Sequence, residues 1–225
     1  MVWANRTGRL KVPNFDWGGT LTPVTESTAW NHSVIPVKLG IFAENIYDFN
    51  LTTQSVAAEG LVWVSWGSAF QDLLDREGVS IEQVIHPVNR VNSWDYFTKP
   101  FYPKPIRTES GEYYQLIRFA GRFYIEDLDL HRYPFERLVF PIAFGLNMMS
   151  DAFCAEKVRL VADKGQSGVG PFVDIIGYQT DLFRVNEYIQ VYPTSFGYRK
   201  TSSKTTSDFS QIRLEIEYKK SVFAS

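Results

Sequence analysis

From residue 34 onward, apolar and polar residues alternate with a period of two. Val37, Leu39, Ile41 and Ala43 stand between Lys38, Gly40, Phe42 and Glu44, which predicts a strand running to about residue 49. Beyond the polar turn Asn50-Leu51-Thr52-Thr53, a second strand is predicted over about residues 54–66, with Val56, Ala58, Gly60, Val62, Val64 and Trp66 on one face. The pattern then changes. Ser68-Ala69-Phe70-Gln71 fits a helix capping box, Phe70, Leu73 and Leu74 form an apolar stripe, and Gly78 suits the helix end. Ser80 to Gln83 repeats the capping pattern but is too short for more than a turn. Residues 87–105, with four prolines and the aromatics Trp94, Tyr96, Phe97, Phe101 and Tyr102, read as a loop.

Further strands are predicted over residues 113–125 and 137–144, the latter apolar on both faces and therefore central. Pro141 inside it predicts a bulge or an unpaired N–H. Residues 158–161, 173–178 and 183–192 follow as strands, then a Ser/Thr/Lys-rich hairpin tip over 194–207. In the last strand Ile212, Leu214, Ile216 and Tyr218 alternate strictly with Gln211, Arg213, Glu215 and Glu217.

Short strands with one short helix argue for an all-β fold, an antiparallel immunoglobulin-like β-sandwich of about ten strands. No repeat or linker divides the pattern, so residues 34–223 are expected to form one domain. Residues 1–33 differ: they are low in charge, rich in Thr, Asn, Gly and Trp, and turn at Asp16-Trp17-Gly18-Gly19-Thr20. They read as an arm or linker whose Trp3, Trp17 and Trp30 could dock on the body or on a neighbour. Composition agrees with the β reading. The 225 residues are 44% hydrophobic and 21% charged, ordinary for a folded domain, while 16% aromatics favour half-buried, pleated surfaces.

A net charge of -2 argues against a nucleic-acid partner, which would require a basic field. The basic cluster Tyr198-Arg199-Lys200 is short and reads as a solvated loop. The single cysteine, Cys154, excludes an internal disulfide but leaves the compartment open. Flanked by Phe153 and Ala155, with no histidine near it in sequence, it reads as a buried thiol rather than a nucleophile. No run approaches the ~20 apolar residues that span a bilayer, and no charged-then-apolar leader opens the chain.

The segment 123–145, FYIEDLDLHRYPFERLVFPIAFG, carries the most specific signal. An acidic loop with Glu126, Asp127 and Asp129 leads into the turn Tyr133-Pro134-Phe135-Glu136, and an apolar strand follows. This resembles the membrane-facing loop in the extracellular domain of pentameric ligand-gated ion channels. The family pattern there is aromatic–Pro–Phe–Asp, one residue, then Gln; Glu136 is a conservative change and Leu138 a departure. Animal members close the loop with two cysteines. The matching positions here are about Glu126 and Phe140, which fits a bacterial branch lacking that disulfide. Asn45-Ile46, the run Leu61 to Trp66, Gly121-Arg122-Phe123 and Tyr218-Lys219-Lys220 occur at the family's order and spacing, so the similarity spans roughly residues 34–223.

The resemblance implies ligand sensing and gating rather than catalysis, with no cofactor. It implies a homopentamer on the periplasmic or extracellular face of a bacterial membrane, joined to its own transmembrane domain. The gene is accordingly expected to continue beyond Ser225 into four apolar segments of about 20 residues each. Ligand sites in this family lie at subunit interfaces. The matching positions are Phe101, with Trp94 and Tyr96 as alternatives, and Tyr192, Phe196 and Tyr198 on the principal side. Trp63 and Leu116 would come from the neighbour. Aromatic faces attract cationic amines by about 0.5–2 kcal/mol each. Asn147, however, stands where many animal members have a tryptophan, so an amine cage is incomplete and the small-molecule or ion ligand stays open. Glu126, Asp127, Asp129, Tyr133, Pro134, Phe135, Glu136, Lys219 and Lys220 would couple the domain to the membrane part, beside the Asn50–Thr53 turn.

Plainer readings stand beside these. The acidic loop by itself could be a solvated surface, and the aromatics could be core. Three carboxylates could serve calcium, but the loop lacks the glycine and spacing of a dedicated site. A retaining glycosidase would need a carboxylate pair ~5 Å apart across a cleft. His32, His86 and His131 show no ligand spacing; His131 could sense pH, though a surface histidine without function is the simpler reading. The principal alternative is a small-molecule-binding β-sandwich without a pore.

Overall fold

The period-two stretches become paired strands. The computed structural model describes residues 19–24, 33–91, 96–125, 138–147, 151–175, 177–194 and 207–220. Their elements are β1 (Thr20–Pro23), β2 (Ile35–Asn50), β3 (Ser55–Trp66), α1 (Ser68–Glu77), α2 (Ile81–Val84), β4 (Ile85–Pro87) and β5 (Phe97–Pro100). After these come β6 (Ile106–Arg107), β7 (Tyr113–Tyr124), β8 (Leu138–Leu146), β9 (Val158–Ala162), β10 (Gly168–Phe172), β11 (Tyr178–Tyr192) and β12 (Ser207–Lys220). They form an all-β sandwich. One sheet has the order β1-β11-β12-β8-β4, and the other β10-β2-β3-β7-β5, with β6 on β7 and β9 on β2.

The faces are those the alternation predicts. Val37, Leu39, Ile41 and Ala43 of β2, and Val56, Ala58, Val62, Val64 and Trp66 of β3, are buried in the core. They meet Phe140, Ile142, Phe144, Ile212, Leu214, Ile216 and Tyr218 from the facing sheet. Each Val, Leu, Ile or Phe side chain among them contributes about 1.5–3 kcal/mol on burial. Aromatic contacts knit the layers, Phe119 against Phe144 and Phe49 against Phe140, each at 5.1 Å between ring centroids, while Phe140 meets Tyr218 at 4.7 Å within the smaller sheet.

Several expectations change. The sandwich is not wholly antiparallel: β9 and β10 both pair parallel with β2, sharing its outer edge end to end. The second capping pattern gives, as expected, no more than one helical turn, α2, whereas at α1 the expected capping box is not made. Gly67, not Ser68, is the N-cap of α1, because the Gln71 side chain accepts from Trp66 Nε1 (3.0 Å) and donates to Asp75 (2.9 Å). At α2 the Ser80 backbone N–H does donate to Gln83 Oε1 (2.8 Å), as a capping box requires. The strand expected over 173–178 lies earlier, as β10, and Tyr178 N–H closes a turn onto the Ile175 carbonyl at 2.9 Å. Part of the arm belongs to the body, since β1 pairs with Tyr188 to Val191 of β11. Trp3, Trp17 and Trp30 lie outside the described residues.

Pro141 causes no bulge: the β8–β12 register runs unbroken past it. Its other edge meets Asn89, just beyond the end of β4. Asn89 Nδ2 donates to the Pro141 carbonyl (2.8 Å) and its Oδ1 accepts from Ala143 N–H (3.1 Å), so one side chain replaces a strand. The same Nδ2 donates to the Tyr124 carbonyl (3.0 Å), and Tyr124 N–H donates back to the Asn89 carbonyl (2.8 Å). Asn89 therefore fastens β8 of one sheet to β7 of the other.

Candidate functional site

Two regions gather several of the residues singled out by sequence. The first is the outward face of the larger sheet. Trp63 of β3 lies directly opposite Leu116 of β7 on one side and Gly40 of β2 on the other. Gly40 lets the indole lie flat across β2, since a Cβ there would stand 2.1 Å from Trp63 Cζ2. The indole thereby reaches the end of β9, where Nε1 donates to Asp163 Oδ2 at 3.1 Å. Asp163 Oδ1 also pairs with Lys38 Nζ at 3.2 Å. The ring is fixed in place, its N–H is used, and its half-buried face is available for stacking.

Phe101 joins this same face. Its backbone N–H donates to the Leu116 carbonyl (2.8 Å), so it stands with the neighbour-side residues Trp63 and Leu116 rather than with Tyr192. Lys99, Pro100, Phe101 and Arg118 line a recess of about 350 Å³. Lys99 and Arg118 are directly opposite in register, a like-charge arrangement that disfavours the pairing unless compensated. Glu44 answers Arg118 at 3.5 Å. Sequence reasoning missed Lys38, Lys99, Arg118 and Asp163, whose roles depend on strand register. Gly40, an isolated glycine in a strand pattern, was the one local signal of a close approach.

On the smaller sheet, Tyr192 ends β11 with its ring 6.4 Å from that of Phe209. Asn147, just past β8, is a structural tie: its Nδ2 donates to the Gln83 carbonyl (3.1 Å) and its N–H to the Val84 carbonyl (2.7 Å), holding α2. Tyr96 packs against the core with the Arg90 guanidinium 5.9 Å from its ring centre, so its aromatic face already serves a cation of the same chain. Burial pushes the Tyr96 phenol above its ordinary value. The polar face of β12 is also less exposed than its alternation predicts: Gln211, Arg213 and Glu217 are buried. Glu215 accepts from Tyr188 Oη and Asn186 Nδ2, each at 2.8 Å. Burial first, then the bond to Glu215, pushes the Tyr188 phenol up to about 12.

The second region is the end of the sandwich bearing the Asn50–Thr53 turn. Thr53 N–H donates to Asn50 Oδ1 at 3.0 Å, and Asp48 and Gln54, bracketing the turn, adopt left-handed φ of 51° and 47°. Asp48 is held by an ion pair with Arg122. Ile125 N–H donates to the Gln54 carbonyl (2.8 Å), and Leu138 lies opposite Tyr218. Both ends of the segment joining β7 to β8 thus start from this end, where β12 also finishes. Lys219 there pairs with Asp181 at 2.7 Å. Lys220 lies opposite Tyr178. Trp94, Phe196, Tyr198, Glu126, Asp127, Asp129, Tyr133, Pro134, Phe135 and Glu136 lie outside the described residues, as do His32 and His131.

Among the described residues no group of three or more His, Cys, Asp or Glu side chains could hold a metal ion, and no helix is long and apolar enough to cross a membrane. Cys154 is buried, and burial pushes its thiol above its ordinary value, which suits an inert core thiol. Compared with known proteins, the chain matches no protein-family profile and no curated sequence.

Proposed function

We propose that this chain is the ligand-sensing domain of a bacterial pentameric ligand-gated ion channel, facing the periplasm or the outside and joined to its own transmembrane domain. The observation that carries the reading is convergence. Residues far apart in sequence, the Asn50–Thr53 turn, Ile125, Leu138 and Lys219, meet at one end of the sandwich, where the resemblance puts the coupling elements. An end built from a strained turn, two loop stems and the last strand can transmit a displacement of any of them to the others.

The distribution of the binding residues supports the same reading. Trp63, Leu116 and Phe101 lie on the larger sheet, whereas Tyr192 and Asn147 belong to the smaller one. A single chain cannot close such a pocket by itself, but adjacent copies in a ring can. Ligand binding at those junctions would then shift the population between two arrangements of the ring, and the shift is limited by the ligand's differential affinity for them.

The test is the reading frame and its product. A frame that continues past Ser225 into four apolar segments of about 20 residues, and a product that forms ligand-dependent conductances in vesicles, is the expected outcome. A frame that stops there, with a monomeric product binding a small molecule, would replace this reading by that of a pore-free binding protein.

A further inference from the structure

One row of the smaller sheet places His86, Gly145 and Gln211 side by side. His86 of β4 lies opposite Gly145 of β8, and Gly145 lies opposite Gln211 of β12, so all three share one face. Neighbouring strands are about 4.8 Å apart. A side chain at the middle position would separate the outer two, but glycine brings only backbone there, and Val88 Cγ2 leans over it without filling the row. A Cβ added at Gly145 would meet Val88 Cγ2 at 2.7 Å and Gln211 Cβ at 3.2 Å. The opening is a cavity of about 20 Å³, walled by His86, Gly145 and Gln211 together with Gln190, Tyr192 and Phe209.

Two polar atoms of this wall, His86 Nδ1 and Gln211 Oε1, are buried and have no hydrogen-bond partner among the described residues. Gln211 is only 1% exposed. Its amide orientation is set, because Nε2 donates to Gln190 Oε1 at 3.2 Å and so leaves Oε1 as an unused acceptor. Buried polar atoms in folded proteins are almost always satisfied, by protein or by ordered water. A water needs roughly 10–15 Å³ of such volume and several polar partners. The cavity therefore has room for one water, not two, and none for an organic ligand.

We propose that a single ordered water sits in this cavity beside Gly145 and bridges His86 Nδ1 to Gln211 Oε1, donating one hydrogen to each. The bridge requires a neutral His86 with its proton on Nε2. Burial, and then the charge of Arg90, hold the imidazole below its ordinary value against a backbone hydrogen bond with Val84, which favours the neutral ring. The water links β4 to β12 across a strand that offers only backbone at this row. Because Tyr192 walls the same cavity, the link also supports the end of β11. The site is independent of whether the chain serves a channel.

The test combines a crystal structure that shows ordered solvent with 15N NMR of the whole chain. The expected result is one solvent peak within about 2.7–3.2 Å of both His86 Nδ1 and Gln211 Oε1, and an Nε2–H tautomer whose Nδ1 resonance reports an accepted hydrogen bond. Gln211→Met keeps the length of the side chain and removes the acceptor, so the peak should be lost and the Nδ1 resonance should move toward its unbonded position. An empty cavity, a metal-like peak with shorter contacts, an Nδ1–H tautomer, or a water that persists unchanged in Gln211→Met overturns the proposal. If that variant does not fold, the native density and the His86 tautomer decide the matter alone.

Discussion

Asn89 gives the sharpest test of how the two sheets are joined. Its side chain donates to the Pro141 and Tyr124 carbonyls and accepts from Ala143 N–H, at 2.8, 3.0 and 3.1 Å. It does so at 6% exposure, so water cannot readily substitute. Asn89→Ala removes three hydrogen bonds, each worth about 1 kcal/mol net, and leaves the Ala143 N–H without its partner at a further ~1–3 kcal/mol. The expected loss is about 4–6 kcal/mol, a large share of the ~5–15 kcal/mol that holds a typical domain together. Asn89→Asp keeps the acceptor but sets a carboxylate against two carbonyl oxygens. Burial raises the folded-state pKa of that new acid, so the folded protein binds its proton more readily than the unfolded chain, and the loss should shrink as pH falls. Urea titrations followed by circular dichroism measure both variants. A loss below about 1 kcal/mol for Asn89→Ala, with an unchanged denaturant slope, would refute the view that this side chain carries the junction.

Two further outcomes follow from single contacts. Gly40→Ala drives a methyl into the Trp63 indole, 2.1 Å from Cζ2, and should cost about 1–3 kcal/mol by overpacking. Pairing it with Trp63→Leu in a double-mutant cycle should recover most of that loss, and strict additivity would show that the indole does not lie over Gly40. His86 has a folded pKa below the ordinary 6.5, set by burial and then by Arg90. The unfolded chain therefore takes up the proton first, so this contribution is complete above about pH 6.5 and is lost as pH falls through the folded pKa. His86→Gln should flatten that part of the stability–pH curve in urea midpoints, and an unaltered curve would assign the pH dependence elsewhere.

Much of the fold was legible because a strand's two faces are a local property. Val37 to Ala43 and Val56 to Trp66 declare their buried sides by alternation alone, and Phe70, Leu73 and Leu74 do the same for α1. Failures occurred where another side chain, near or far in sequence, intervened. Gln71 looked like half of a capping box until Trp66 Nε1 and Asp75 engaged its amide. The strict alternation of β12 puts Gln211 on the face opposite the core, yet Gln211 is 1% exposed. Pro141 suggested a bulge, but Asn89 takes the edge on which its missing N–H would have been needed.

The candidate site was legible residue by residue but not as an arrangement. Sequence pointed to Trp63, Leu116 and Phe101, and the structure gathers them on one face; it also shows Tyr96 already under Arg90 and Asn147 already bonded to Gln83. What the amino-acid order determines by itself is which side of each strand turns inward, since successive side chains point to opposite faces whatever the strand pairs with. Register is different. The parallel pairing of β9 and β10 on β2, the indole laid over Gly40, and the His86–Gly145–Gln211 row were decided only by tertiary structure, because a shift of two residues in any ladder would exchange the neighbours while keeping every side chain on its face.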